Sequence, residues 1–329
     1  MNIGFTYDLK DDYLKQGYSE VDVAEFDSIE TIDGIENTLQ NQGYTVDRIG
    51  SIKSLILRLC RGDSWDLVFN IAEGIHGIGR EAQIPAVLDA YNIPYVFSDP
   101  LVFSVTLHKG MAKRIVRDGG VRTPAFYIVR SIEDVNGVNL KYPLFVKPLS
   151  EGTGKGISSN SVIHSLNELA VICKQLLIQY DQPVLVERYL PGREFTVGIT
   201  GTGKHGRVVG VMEICFKPEA SSEVYGLYNK KNYRKFIEYT VPEKEMVEKC
   251  SLVALQAWRL LECRDGGRID LRNNEDDEPE FIEVNPLAGL HPIESDLPIL
   301  ARLNGTSYDE LISQIMESAL TRIKGKNQA

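Results

Sequence analysis

Apolar and polar positions change period several times along the chain, and the changes mark out its elements. Apolar runs at Ile3 to Thr6, Tyr44 to Ile49 and Asp66 to Ile71 predict strands, and a 3.6-residue spacing from Ser28 to Asn41, stopped by Gly43, predicts a helix. This is β–α–β material and calls for a parallel sheet. The acidic, aromatic-containing insert from Asp8 to Glu25 has weak periodicity and reads as a loop beside a site or, more simply, as a solvated excursion. A helix is expected over Ser104 to Arg117, closed by Gly119 and Gly120, after which "TPAFYIV" starts a second unit. In that unit, strands at Leu144 to Lys147 and Val184 to Glu187 flank a helix opened by Ser165, with Glu168 completing a capping box. A third unit starts near Pro191. It holds antiparallel candidates at Phe195 to Thr200 and Arg207 to Ile214, a long helix after Pro242, a hairpin of Arg268 to Leu271 with Glu280 to Val284, and a last helix capped by Ser307 with Glu310. The expected class is α/β, α+β in parts, with units 1–100, 101–190 and 191–329 packed on one another and no repeats between them.

Composition changes this picture little. At 329 residues, 43% hydrophobic and 25% charged, the chain has an ordinary soluble make-up with enough length for two or three cores. The 36 basic and 46 acidic residues leave a net charge of −10, which argues against a broad DNA or RNA surface but permits a small anion in a local basic pocket. The opening "MNIGFTYDLK" lacks a signal pattern, and no apolar run approaches the roughly 18 residues of a membrane span. The expected protein is cytoplasmic, with no membrane partner. Its five scattered cysteines contain no C-x-x-C pair, so neither a disulfide framework nor a zinc site is expected.

Two glycine-rich runs invite a nucleotide reading. "GTGKHG", 201 to 206, matches G-x-G-x-x-G but lies between two β-patterned stretches without opening a helix, so it reads as a hairpin turn. "EGTGKGIS", 151 to 158, fails the P-loop pattern because Leu149 stands where glycine is needed. It follows the strand "PLFVKP", however, and a small donor-rich loop of that kind either closes its N–H groups over phosphates or is a plain turn. Lys109 and Lys147 are each unremarkable alone and gain weight only in company. "VLVERYLPGREF" ends one strand and starts another at a unit boundary, so Glu187 and Glu194 are either a cleft wall reading adenine and ribose or solvated linker residues. In "RIDLRNNEDDEPEFIEVNP", Glu283 and Asn285 share a strand face, and the hairpin brings Asp270 beside them. Three converging oxygen donors suit Mg²⁺, whereas an edge hairpin facing water is the plainer alternative.

Taken together, the runs "NIAEGIHGIGREAQIPAVLDAYNIPYVFSDP", "LHKGMAKRIV", "LFVKPLSEGTGKGIS", "VLVERYLPGREFTVGI", "GGRIDL" and "FIEVNPLAGL" resemble, in order and spacing, the ATP-grasp superfamily and within it the D-alanine–D-alanine ligase family. The resemblance implies a three-domain ATP-grasp fold with ATP held between the central and C-terminal domains. It further implies ATP with Mg²⁺ or Mn²⁺ as cofactors, amino-acid substrates, a homodimer, and a role in making peptidoglycan precursors. By match, Lys109 and Lys147 contact phosphates and the loop from Glu151 through Gly152, Thr153 and Gly154 to Ile157 covers them. Glu187 and Leu190 border adenine, and Glu194 accepts from the ribose. Asp270, Glu283 and Asn285 are the implied metal ligands. Arg268 and Gly289 face the reacting acyl group, and Lys230, with Lys231 in competition, belongs to a loop closing over the γ-phosphate. The implied reaction has two steps: a carboxylate takes the γ-phosphoryl group of ATP to form an acyl phosphate, and an amine then displaces phosphate.

Two segments depart from the family pattern. Where N-T-x-P-G-M-T and then serines are usual, this chain has "NPLAGLHPIESDLP", so Leu290, His291, Pro292 and Glu294 alter the second-substrate pocket and Ser295 is an approximate replacement. The usual G-G-x-S-x-E start is absent, and Glu25 is a loosely placed counterpart of the carboxylate that holds the first amino group. His291 reads either as a titrating group at the acceptor site or as a packing residue, and His76 as a site candidate. A ligase for other amino acids, and a binding protein without ligation, remain alternatives.

Overall fold

The structure, a computed structural model, describes residues 1–218, 226 and 232–326. Strand β1 (Asn2–Thr6) lies between β2 (Thr45–Gly50) and β3 (Leu67–Asn70), parallel to both. Its alternation sets the layering. Ile3 and Phe5 enter one core, while Gly4 faces the other side, where a Cβ would stand 2.7 Å from Ile49 and 2.8 Å from Trp65. Helix α1 (Lys10–Lys15) lies in the insert, and helix α2 (Ile29–Asn41) turns Ile32, Ile35 and Leu39 onto the first core. The remaining helices of this part are α3 (Ile52–Cys60) and α4 (Gln83–Ala90).

The insert is solvated along much of its length but anchored at its ends. Val23 and Phe26 are buried, and Asp8 accepts from the Tyr13 hydroxyl and from Gly74 N, 2.8 Å away. The helix expected over Ser104 to Arg117 is two helices, α5 (Pro100–Leu107) and α6 (Lys109–Asp118). Pro100 and the Asp99 cap, which accepts from Val102 N, start the first of them earlier than periodicity alone suggested. The break has a local cause: His108 leaves helical geometry and its Nδ1 accepts from Met111 N at 3.1 Å, capping a new helix whose first residue is Lys109.

The second sheet orders β4 (Phe126–Val129), β7 (Val184–Arg188), β5 (Leu144–Pro148) and β6 (Val162–Ile163), its paired strands antiparallel. Helix α7 (Leu166–Tyr180) covers it through Leu169, Cys173 and Leu176; Ser165 Oγ caps it by accepting from Glu168 N as expected, but the Glu168 carboxylate accepts from His164 N and does not complete the box on Ser165 N. The third sheet runs β10 (Ile237–Thr240), β9 (Arg207–Phe216), β8 (Glu194–Thr200), β11 (Gly266–Asn273), β12 (Pro279–Asn285), all antiparallel, with "GTGKHG" connecting β8 to β9. Period two divides its faces. Phe195, Val197, Ile199, Ile269 and Leu271 bury against helix α8 (Lys244–Leu260), leaving Thr196, Arg268, Asp270 and Arg272 on the opposite face. A bulge modifies β12: Asp270 pairs with Glu283 but Leu271 pairs with Phe281, so Ile282 is the extra residue and both Ile282 and Glu283 turn to the open side.

Helices α9 (Asp296–Leu303) and α10 (Tyr308–Lys326) return to the first core through Leu297, Leu311, Ile312 and Ile315. Asp265 ties these parts together. Fully buried, it accepts from Phe97 N at 2.9 Å, Thr202 Oγ1 at 3.1 Å, Ser318 Oγ at 2.9 Å and Arg322 Nη2 at 2.6 Å. Asp265→Ala leaves the half-buried Arg322 guanidinium and several donors without their acceptor, and should lower unfolding free energy by about 3–5 kcal/mol. Urea unfolding checks this: a midpoint lowered at unchanged slope is expected, and an unchanged midpoint contradicts it.

Candidate active site

Three cavities meet where the sheets converge. The first lies between the second and third sheets, lined by Lys147 of β5, Glu187 of β7, Thr196 of β8, Asp270 of β11 and Glu283 of β12. The second is enclosed by Glu25, Glu73, Glu81, Thr153 and the run Val284 to Gly289, and it shares Lys109 and Glu151 with the first. The third is wider, ≈ 590 Å³ against ≈ 90 Å³, and is lined by Asp27, Thr153, Gly289, His291, Glu294 and Ser295. Arg268 lines all three.

Charge is dense in the first cavity and almost fully paired. Lys147, 3% exposed, stands 3.3 Å from both Glu187 and Glu283. Burial alone would lower its pKa, but the two carboxylates outweigh burial and raise it. Lys113, fully buried one helical turn beyond Lys109, lies 2.9 Å from Glu187, and there burial wins and pushes the ammonium pKa down. Glu187 therefore has one oxygen on each lysine and is held ionised against its own burial. It lines the cleft as expected, yet its carboxylate is committed to lysines. Leu190 and Glu194 line the same cavity, with Glu194 3.3 Å from Arg272. Lys113 and Arg272 were not singled out from sequence; the i, i+4 spacing of Lys109 and Lys113 on one helix was the signal available.

On the hairpin, Asp270 accepts from Arg268 Nη1 at 2.6 and 2.7 Å, from Thr196 Oγ1 at 3.0 Å and from Asn285 Nδ2 at 3.2 Å. Glu283 lies 3.3 Å from Lys147 and 3.8 Å from Lys109. Asp270, Glu283 and Asn285 are thus brought to one corner by strand register. No group of three or more His, Cys, Asp or Glu residues poised for a metal occurs among the described residues, but two carboxylates and a carboxamide are hard oxygen donors. That set fits a small divalent cation whose remaining positions are filled by phosphate and water. Gly267 permits the corner: a Cβ there would stand 2.5 Å from Asn285 O.

The glycine-rich loop sits at the junction of the cavities, Gly154 on the first and Thr153, at φ +53°, on the other two. It is latched to the insert. Gly152 N donates to Glu25 Oε1 at 2.6 Å, and Lys155 Nζ reaches Glu25 Oε2 at 3.1 Å and Glu151 Oε2 at 3.2 Å. Lys109 Nζ donates to Glu151 O at 2.5 Å. Gly289 lines the second and third cavities, closely packed on Ser295, whose Oγ lies 2.8 Å from where a Cβ would stand. His291 lines the third, with Nδ1 accepting from Ile293 N at 3.2 Å and Glu294 N at 3.1 Å. His76 lies outside these three cavities, 3.2 Å from the Tyr18 hydroxyl. Lys230 and Lys231 fall outside the described residues.

Residues 117–317 match the family model described as the D-ala D-ala ligase C-terminus. A D-alanine–D-alanine ligase of Aquifex aeolicus is 30% identical over 291 residues, 88% of this chain and 94% of that one. One from Bordetella petrii is 30% identical over 253 residues, 76% of this chain and 75% of that one. This chain belongs to the D-alanine–D-alanine ligase family. The crystal structure of a D-alanine–D-alanine ligase from Bacillus anthracis complexed with ATP, 21% identical, covers 99% of each chain with a TM-score of 0.74. The fold is accordingly the mixed α/β ATP-grasp architecture of this family, with its parallel N-terminal sheet.

Proposed function

We propose that this protein is an ATP-dependent carboxylate–amine ligase that joins two amino acids through an acyl phosphate, with D-alanine the first substrate to test in both positions. The observation that carries the reading is the position of Arg268 at the corner of three cavities, because such a ligase must bring nucleotide, acid and amine together at one point. The first cavity takes ATP, the second the acid and the third the amine. A carboxylate oxygen of the first amino acid attacks the γ-phosphorus, the bond from that phosphorus to the β–γ bridging oxygen breaks, and ADP leaves. The amine nitrogen of the second amino acid then attacks the acyl carbon, inorganic phosphate departs, and the nitrogen loses its proton.

Within this scheme Lys109 and Lys147 neutralise phosphate charge and the loop around Thr153 and Gly154 excludes water from the acyl phosphate. Arg268 and Gly289 N face the developing oxyanion. Leu190 borders adenine, Glu187 holds Lys147 beneath it, and Glu194 accepts from ribose. Asp270, Glu283 and Asn285 hold Mg²⁺, or Mn²⁺, which supplies charge neutralisation across the phosphates. Lys230, or Lys231, is assigned by family match to the segment closing over the γ-phosphate. The division into units 1–100, 101–190 and 191–329 is supported by the confinement of β1–β3, β4–β7 and β8–β12 to them. We further assign a cytoplasmic, homodimeric enzyme supplying a peptidoglycan precursor, on the family resemblance; no described helix is long and apolar enough to cross a membrane. A ligase for a different amine is the second reading, favoured by His291 and Glu294 on the wall of the third cavity.

Phosphate release from Mg-ATP across single and paired D- and L-amino acids tests the reading. Turnover requiring D-alanine supports the first form and turnover with another pair the second. Tight ATP binding without turnover on any pair contradicts both.

A further inference from the structure

Four carboxyl groups line the second cavity, and they divide into two that are satisfied and two that are not: Glu151 accepts from Gln182 Nε2 at 2.7 Å and Lys155 Nζ at 3.2 Å. Glu25 is fully engaged: Oε1 accepts from Gly152 N at 2.6 Å, and Oε2 meets Arg80 Nη2 and Lys155 Nζ, each at 3.1 Å. Burial works against its charge, yet Arg80 and Lys155 hold its pKa below the ordinary value. It is an ionised latch between insert and loop, with both oxygens already bonded to protein donors. Glu73 and Glu81 are different. Both line the cavity and are half-buried, and neither side chain makes a hydrogen bond or ion pair among the described residues. Burial pushes Glu73 well above the ordinary carboxyl value and Glu81 up to about 7.

The cations nearby are spoken for. Arg80 Nη1 donates to Ser150 O at 3.0 Å and its Nη2 holds Glu25, Lys109 Nζ donates to Glu151 O at 2.5 Å, and Arg268 holds Asp270. Two half-buried carboxyl groups without a protein partner, on the wall of a small cavity, are costly unless a cation arrives with the ligand. The same cavity is also lined by Arg268 and Gly289, where the acyl group would react. An α-amino acid has the matching polarity, carboxylate toward Arg268 and ammonium toward the two glutamates.

We propose that Glu73 and Glu81, not Glu25, receive the α-ammonium of the first substrate, and that this pair makes the enzyme select an amino acid over a carboxylic acid lacking the amine. This rests on the ligase reading above and adds the group that discriminates the acid substrate. Glu25 is a positioning residue for the glycine-rich loop.

The test compares D-alanine with propionate as the acid substrate, or whichever amino acid gives turnover with its own des-amino acid, in wild type, Glu73→Gln, Glu81→Gln and Glu25→Gln. Removing one charged partner of an ammonium should raise KM for the amino acid and shrink its advantage over the des-amino acid roughly 10- to 100-fold, with KM for ATP unchanged. Glu25→Gln should instead raise KM for ATP and keep the preference. A merely structural role of Glu73 or Glu81 would move all substrates together. Should Glu73→Gln not fold, Glu81→Gln carries the test. Preference intact in every soluble Glu73 and Glu81 variant, or lost only in Glu25→Gln, overturns the inference and leaves the ligase reading standing. No wild-type turnover with any acid removes both.

Discussion

Replacing Arg268 with alanine should lower kcat by roughly 10²- to 10³-fold, the usual consequence of removing one donor aimed at developing charge. The residue stands on β11 between Ile269, which is buried against α8, and Gly267, which makes room for Asn285, so its backbone is fixed on both sides. Its guanidinium is held by Asp270 at 2.6 Å and lies 3.6 Å from Asp296. The substitution therefore acts through lost charge rather than a displaced strand. Arg268→Lys keeps the charge but lacks the planar fork, and should recover only part of the loss. Turnover at saturating substrates checks both, and a kcat for Arg268→Ala within about three-fold of wild type would exclude a role for this side chain in the chemical step.

The second large effect is expected from Lys147→Met. Lys147 lies between two carboxylates, and its loss leaves Glu187 with Lys113 alone and Glu283 with the more distant Lys109. Stability should fall by about 3–5 kcal/mol, the range for breaking a buried pair from one side, and ATP affinity should fall at least about ten-fold. The pH dependence follows from the directions of the shifts. Lys147 has its pKa raised by folding, so its contribution is complete below the unfolded lysine value of about 10.4 and disappears only as pH rises through the higher folded value. Glu187 has its pKa lowered, so its contribution is complete above the unfolded value of about 4.3 and disappears as pH falls through the lower folded one. The gap between wild type and variant should be flat from pH 6 to 9, by these roughly stated limits, and narrow in acid and in strong alkali. Lys147→Met combined with Glu187→Gln should regain part of the stability but not the ATP affinity. A gap that varied steeply near neutrality would contradict this account of the pairings.

Much of the frame was legible in the sequence because it depends on local period. Ile269 and Leu271 alternate with Arg268 and Asp270, and that alternation is enough to put a core on one side of β11 and polar groups on the other. Capping chemistry at Ser165 and Ser307 was equally local. The break at His108 was missed because a histidine capping its own chain leaves no change of hydrophobic period. Helix α3, with the short run "IKSLILRLC", and strand β10 were missed because short apolar runs do not distinguish helix from strand. The anchoring of the insert was hidden for a different reason: Asp8 is satisfied by Gly74, 66 residues away in sequence. The same holds for the carboxyl groups. Nothing in the spacing of Glu25, Glu73 and Glu81 separates the engaged latch from the two open groups, since the distinction depends on Arg80, Lys155 and Gly152 converging from two segments.

The central claim is that the acid is activated by transfer of the γ-phosphoryl group, and the fate of the carboxylate oxygen tests it most directly. With D-alanine, or the amino acid that gives turnover, labelled with ¹⁸O in its carboxylate, the released phosphate should carry one labelled oxygen for each amide bond formed, and the nucleotide product should be ADP. Amide formation with unlabelled phosphate, or with AMP and pyrophosphate as products, would contradict the account.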